Sequence, residues 1–234
     1  MDISSIKLYA THEHPCSYLK NRSATTIFVD PLLNMNGRIY SELSDFGFRR
    51  SGSHVYRPNC RNCQACIPVR IPVDIFRPNR SQKRCEKRNQ DVSMNIVSSI
   101  KTDEHYALYE RYICLRHSDG DMFPPSREQY DDFLSSEWGV TRYLEFRLSG
   151  RLIAVAVSDR LDQGLSAIYT FFDPDEEARS LGVLAVMRQI DLARSLGLPY
   201  VYLGYWIKEC EKMRYKNQYR PLQAYINNTW LTFD

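Results

Sequence analysis

The chain is predicted to be an α/β (α+β) protein, a mixed sheet with flanking helices preceded by a smaller N-terminal α+β domain. Three observations point there. From residue 89 onward strand-like and helix-like segments follow a regular order, whereas residues 1–88 hold short strands and dense positive charge. Three strand-length runs then arrive in succession with turn residues between them, and a long helix leads into a further strand. The 234 residues are 43% apolar and 25% charged, which suits a globular chain with a real core. The composition changes abruptly near residue 88, so two units are expected, 1–88 and 89–234.

In the first unit, ATTIFVDP is a short strand ended at Pro31, Asn36-Gly37 marks a turn, and RIYSELSDFGF makes one or two helical turns before Gly47. His54–Tyr56 and Val69–Phe76 read as strands joined by a connection carrying Cys60, Cys63 and Cys66. The run RPNRSQKRCEKRNQ is either a solvated helix or an electrostatic track for a phosphate backbone. In the second unit DVSMNIVS is a strand. DEHYALYERYICLRHS is a helix with Tyr106, Tyr109 and Ile113 on one face and Asp103 as its cap, and SREQYDDFLSSEW is a second helix capped by Ser126. TRYLEFRL, RLIAVAVSDRL and GLSAIYTFF are three strands, turned at Ser149-Gly150 and Asp162-Gln163-Gly164. SLGVLAVMRQIDLARSLG repeats Leu184, Met187 and Ile190 at helical spacing, YVYLGYW is the fifth strand, and LQAYI-NN-TWLTF is a closing hairpin.

Charge narrows the function. Residues 49–88 hold 11 Lys/Arg against 2 acidic residues, and residues 208–220 hold 5 against 2, although the whole chain is only +3. Two basic zones on a nearly neutral protein suit one localised anionic partner, with nucleic acid ahead of a membrane surface. No apolar run approaches the ~20 residues needed to span a bilayer, and the N-terminus lacks the basic-then-apolar pattern of a secretory signal. Seven cysteines, an odd number, suit reduced thiols in the cytoplasm. Cys-x2-Cys-x2-Cys can aim three thiolates at one centre, with Cys16 or Cys85 as a fourth ligand, for zinc or an iron–sulfur cluster. Loop and core thiols are the competing reading.

An antiparallel meander followed by a crossover helix into a fifth strand is the order of the GCN5-related acyltransferase fold. There the fourth and fifth strands splay, and the crossover helix presents free N–H groups beside the gap, here at Ser180, Leu181 and Gly182. The stretch from Arg179 to Leu184 half-matches the pyrophosphate loop of acetyl-CoA users, but Leu184 stands where a small residue is wanted.

Residues 199–221, PYVYLGYWIKECEKMRYKNQYRP, interleave Lys208, Lys212, Arg214, Lys216 and Arg220 with Tyr205, Trp206, Tyr215 and Tyr219. Cations alternating with rings suit a polyanion with stackable bases. Taken with Pro15-Cys16-Ser17-Tyr18, Gly47 to Gly52, Tyr56-Arg57-Pro58, Leu108 to Tyr112, Arg116-His117, Tyr169 to Pro174 and Ser180 to Gly182, this stretch resembles the arginyl/leucyl-tRNA–protein transferases, and their compact bacterial leucyl-transferring branch most closely. The match departs from eukaryotic relatives near Cys16, where Leu19 replaces a second cysteine. The resemblance implies leucyl-tRNA as donor, proteins beginning with Asp or Glu as acceptors, and a tagging role in N-degron (N-end rule) degradation. Arginyl-tRNA as donor, or acetyl-CoA in an N-acetyltransferase, are the alternatives.

Such a transfer is aminolysis of an activated ester, so it needs positioning and oxyanion stabilisation more than a strong nucleophile or a cofactor. Tyr169, Thr170, Lys212 and Tyr215 are the candidate catalytic groups. Ser180, Leu181, Gly182, Tyr205, Trp206, Arg214, Lys216 and Tyr219, with Arg80, Lys83 and Arg84 of the basic run, are candidates for the tRNA donor. Arg49 and Arg50, or else Lys212, Arg214 and Lys216, are candidates for the acceptor carboxylate, which a guanidinium can grip bidentately. Phe171, Val155, Leu203 or Trp206 would line a leucine pocket, and Asp159, Asp173 or His117 would move a proton.

Overall fold

Strand-forming runs dominate the middle of the chain, and in the computed structural model, which describes residues 5–120 and 122–234, they build one eight-stranded sheet. Its strands are β7 (Ile67–Pro72), β8 (Val92–Val97), β9 (Thr141–Leu148), β10 (Arg151–Leu161), β11 (Gly164–Phe172), β12 (Tyr200–Trp206), β13 (Leu222–Ile226) and β14 (Thr229–Phe233), in the spatial order β14-β13-β7-β12-β11-β10-β9-β8. β8 to β11 form the expected antiparallel meander. Helix α5 (Leu181–Ser195) then crosses over and delivers β12 parallel to β11.

A smaller four-stranded sheet, β1-β4-β6-β5, comprises Leu8–Ala10, Thr26–Val29, His54–Pro58 and Arg49–Ser51; β2 (His14–Pro15) and β3 (Ser23–Ala24) pair separately. Helix α1 (Gly37–Asp45) buries Tyr40 and Leu43 against Ile27, Val29, Phe48 and Val55, and the same cluster takes in Leu161 and Tyr202 of the large sheet. The expected division at residue 88 therefore does not separate the sheets: β7 lies inside the large one, between β12 and β13. Its buried residues Val69 and Ile71, with Val73 just beyond its end, join Val201 and Leu203 under α5. This strand is fully buried on both faces, which sequence alternation alone does not reveal.

On the opposite face, α3 (Asp103–Arg116) and α4 (Arg127–Leu134) press Tyr109, Ile113, Tyr130 and Leu134 onto Val155, Val157 and Phe171. Ser126 caps α4 as expected, but α3 is capped by Thr102, whose hydroxyl accepts from the His105 backbone N–H, and Asp103 falls in the first turn. An acid there still favours the positive end of the helix. The basic run forms helix α2 (Arg80–Arg88), opened by a capping box between Asn79 and Gln82. No helix among the described residues is long and apolar enough to cross a membrane.

Candidate active site

The large sheet opens at one place. β11 and β12 pair only at Gly164–Tyr200, Leu165–Val201 and Ser166–Tyr202, although β11 runs on to Phe172 and β12 to Trp206. Two forces draw β12 away: its other edge pairs with β7 from Tyr200 to Trp206, and its register slips between Tyr202 and Gly204. A bulge of this kind bends the strand that carries it.

Into this opening β5 sends Arg49. Nη1 donates to Ser166 Oγ at 2.6 Å, at the last position where β11 pairs with β12, and Nη2 donates to the Ala167 carbonyl. The guanidinium passes over Gly204, where an added Cβ would sit 3.0 Å from Nε and 3.2 Å from Cζ. No carboxylate among the described residues pairs with it.

Lys216, in the 3-10 turn Tyr215–Gln218 that follows α6 (Glu211–Arg214), supplies a second cation at this place. The residue is only 6% exposed. Its Nζ donates to the Tyr205 carbonyl at 2.6 Å, contacts Met213 Sδ at 3.2 Å, and has no carboxylate partner among the described residues. Burial first, and then the nearby Arg49 charge, push its pKa down to about 7.

The rim is aromatic. Tyr169 packs edge-on against Phe133 at 5.3 Å and Tyr112 at 6.3 Å. Tyr112 in turn meets His117 through a 3.0 Å contact between its hydroxyl and Nε2. Burial, and then the Lys212 charge, lower the His117 pKa. Lys212 Nζ pairs with Asp119 at 3.0 Å and ties α6 to the end of α3. Of the candidate catalytic residues, Tyr169 and Tyr215 stand at this rim, Lys212 is occupied by Asp119, and Thr170 is half-buried opposite Ala156.

On the other face, the first turn of α5 has no side-chain cap, and Ser180 before it is left-handed with φ of 56°. Helix α2 docks there through Cys85, whose thiol lies 3.5 Å from the Arg179 and Ser180 carbonyls. Asn79 and Gln82 also donate to the Gln218 carbonyl, each at 3.3 Å. Arg80, Lys83 and Arg84 are thus exposed, without ion-pair partners among the described residues, on a helix joined to both the α5 N-terminus and the 215–218 turn. Gly182 and Ser180 share this surface, while Leu181 is buried. Trp206 is half-buried against the core cluster under α5, its indole N–H without a hydrogen-bond partner among the described residues.

Several sequence expectations are corrected. Arg50 is fully buried: Nε donates to Asp159 Oδ2 at 2.5 Å, Nη2 to Oδ1 at 2.9 Å, and Nη1 to the Ser135 carbonyl at 3.0 Å. Successive side chains on a strand diverge, so β5 sends Arg49 to the opening and Arg50 to a strut between the two sheets. Asp159 is consumed by the same strut, and Asp173 holds Arg151 at 2.5 Å and Arg111 at 3.3 Å. Tyr205 is buried with its hydroxyl donating to the Gly47 carbonyl at 2.9 Å, Tyr219 is buried against Phe76, and Lys216 faces inward; none of the three lies on a surface that a phosphate backbone would touch. Arg214 is exposed beside Glu211. Val155, Phe171 and Leu203 are core, leaving Trp206 as the accessible member of the expected leucine pocket.

The cysteines form a neighbourhood without a metal geometry. Burial, and then Cys16, Cys60, Cys63 and Cys210 around it, push the Cys66 thiol up to about 12. Cys60 Sγ is engaged with Thr25, and among the described residues no three His, Cys, Asp or Glu side chains converge on a point that would hold a metal ion. Sequence reasoning also missed the roles of Ser166, Gly204 and Asp119. Gly204 had a readable signal, since a glycine inside a strand often marks a close approach.

Comparison with known proteins bears on this geometry. The family model described as arginine-tRNA-protein transferase, N terminus, matches residues 14–84, and its C-terminus counterpart matches residues 104–226. The chain belongs to this family. Both matched segments reach the opening: the first brings Arg49, the second brings β11, β12 and Lys216. Among curated relatives, the aspartate/glutamate leucyltransferase of Saccharophagus degradans is 59% identical, covering 99% of both chains. Proteins of the same name from Teredinibacter turnerae (58% identical, 99% of this chain and 96% of that one) and Pseudomonas syringae pv. tomato (54%, 99% and 98%) are similar throughout. Among solved structures, L-PGS from Bacillus licheniformis aligns at a TM-score of 0.46 with 10% identity over 72% of this chain and 50% of that one, too distant to bear on function.

Proposed function

We propose that the chain moves leucine from leucyl-tRNA onto the α-amine of proteins beginning with Asp or Glu, working in the cytoplasm and marking those proteins for N-degron degradation. One observation carries the acceptor half of this reading: Arg49 stands in the β11–β12 opening with no acid among the described residues to neutralise it. A charge held out of bulk water without a partner is unfavourable unless a ligand supplies one, and an acidic side chain on the acceptor does so. The donor half follows from the opposite face. Arg80, Lys83 and Arg84 on α2 and the uncapped start of α5 would hold the phosphates of the acceptor end, and Trp206 would border the amino acid or terminal base.

The chemistry asks for little else. An α-amine has an unperturbed pKa of about 7.7–8.0, so part of it is already neutral near pH 7. The ester joining the amino acid to ribose is activated, and meeting both partners in one opening supplies the positioning that such a reaction needs. No cofactor takes part in this transfer. The test is a transfer assay with the purified chain, tRNAs charged separately with labelled leucine or arginine, and peptides beginning with Asp, Glu or Ala. Label should pass from leucyl-tRNA to the Asp and Glu peptides alone. Transfer from arginyl-tRNA instead would overturn the donor assignment, and transfer to the Ala peptide at equal rate would overturn the acceptor role of Arg49.

A further inference from the structure

We propose that Lys216 is the general base of the transfer, taking the proton that the acceptor's attacking α-amine sheds and returning it to the departing ribose oxygen. The inference deepens the reading above and rests on it. Its foundation is the placement of the amine. Lys216 is nine-tenths buried, yet among the described residues the groups that surround it hold no carboxylate: Arg49 from β5, Cys66 from the connection before β7, Cys210, Met213 and Tyr215 around α6, and the Tyr205 carbonyl on β12. A lysine buried for structure alone would be expected to carry a counter-ion or to be replaced by an apolar residue.

Instead the neighbourhood favours the neutral amine. Burial and Arg49 both work against the ammonium form, and the pKa of about 7 leaves about half of it ready to accept a proton at cytoplasmic pH. The Tyr205 carbonyl, 2.6 Å away, accepts one N–H and Met213 Sδ, at 3.2 Å, takes a second, which leaves the remaining position on the neutral nitrogen to its lone pair. That carbonyl belongs to the part of β12 beyond Tyr202, where pairing with β11 has ceased.

Arg49 completes the argument. In an N-terminal aspartate the carboxylate and the α-amine are carried on adjacent carbons. Gripping the carboxylate at Arg49 would bring the α-amine to the neighbouring lysine, and the same carboxylate would relieve the repulsion between Arg49 and Lys216. The step is proton-neutral from the free amine, which is present in part near pH 7. The α-amine forms the C–N bond at the ester carbonyl; Lys216 takes the proton that this nitrogen sheds; the C–O bond to ribose breaks, and the lysine ammonium protonates the ribose oxygen.

The test uses the full chain, leucyl-tRNA and a saturating Asp-initiated peptide, with single-turnover rates measured from pH 6 to 9. Wild type should show a rising limb near pH 7. Lys216→Arg, which keeps the charge but cannot release a proton, and Lys216→Met, which keeps the bulk, should each lose at least a hundredfold in rate, the usual order for general-base catalysis. Both should bind leucyl-tRNA as wild type does. In a Lys216→Ala variant shown by its circular dichroism to be folded, small primary amines such as ethylamine should restore part of the rate. A Lys216→Arg rate within threefold of wild type overturns the proposal, as does a folded Lys216→Ala variant that no amine rescues. If wild type itself moves no leucine to the Asp peptide, the reading of the function falls first, and the lysine's role falls with it.

Discussion

Arg49 crosses the α-carbon of Gly204 so closely that a single methyl group there would meet its guanidinium at 3.0 Å. The two residues come from different sheets and are far apart in sequence, yet each explains the other. Gly204 has φ of +77°, a conformation that side chains rarely adopt, and it follows the register slip that bends β12 from β11. The glycine both opens the sheet and leaves room for the arginine that fills the opening.

Gly204→Ala should therefore displace Arg49 and strain β12 together. Transfer to an Asp peptide is expected to fall more than tenfold, with the larger change in the KM for the peptide. Steady-state kinetics at fixed leucyl-tRNA would measure it. An unchanged KM would mean that Arg49 does not meet the acceptor.

Arg49→Gln removes the charge without the strain. Wild type should prefer a peptide beginning with Asp over one beginning with Asn, and the variant should lose most of that preference while leucyl-tRNA binding is retained. Competition between the two peptides for one pool of charged tRNA reads the ratio directly.

Arg50 is expected to behave differently from its neighbour. Its guanidinium is shared among Asp159, Thr141 and backbone carbonyls in a fully buried strut. Arg50→Gln leaves Asp159 unpaired in the interior, which typically costs about 3–5 kcal/mol. Urea titration should register that loss, and discrimination between Asp and Asn peptides should survive in whatever fraction stays folded.

The exposed face of α2 should act through salt-dependent binding. Replacing Arg80, Lys83 and Arg84 together with Gln is expected to weaken leucyl-tRNA binding about tenfold or more at 0.1 M salt. It should also flatten the dependence of affinity on salt by about two to three units of slope if all three meet phosphate. The rate at saturating tRNA should change little. A filter-binding series across salt concentrations tests this, and an unchanged slope would remove α2 from the tRNA path.

Lys216 makes stability depend on pH in an unusual direction. Its folded pKa, about 7, lies below the ordinary lysine value of 10.5, so between those limits the unfolded chain holds a proton that the folded chain does not. Stability from this residue therefore rises as pH rises through that window, and the cost of its burial is fullest at pH 7 and below. Relative to wild type, Lys216→Met should gain most stability near pH 6 and progressively less toward pH 10. Parallel melts of both proteins across that range would reveal a constant difference if the amine were not buried.

Element order, the crossover helix into the fifth strand and the basic character of α2 are legible in the chain, because periodicity, caps and turn residues are local signals. The family is legible too, in residues 199–221. Which cations are free depends instead on how the elements pack. Arg49 and Arg50 look alike as adjacent arginines, and Lys212, Arg214 and Lys216 look alike as one basic segment. Pairing separates them: Asp159 takes Arg50, Asp119 takes Lys212, and Lys216 turns inward to the Tyr205 carbonyl. The placement of β7 inside the large sheet was equally hidden, since a strand buried on both faces shows no alternation. Charge and burial are properties of the assembled neighbourhood, so no reading of residue types in a row could assign the acceptor grip to Arg49 and an unpaired amine to Lys216.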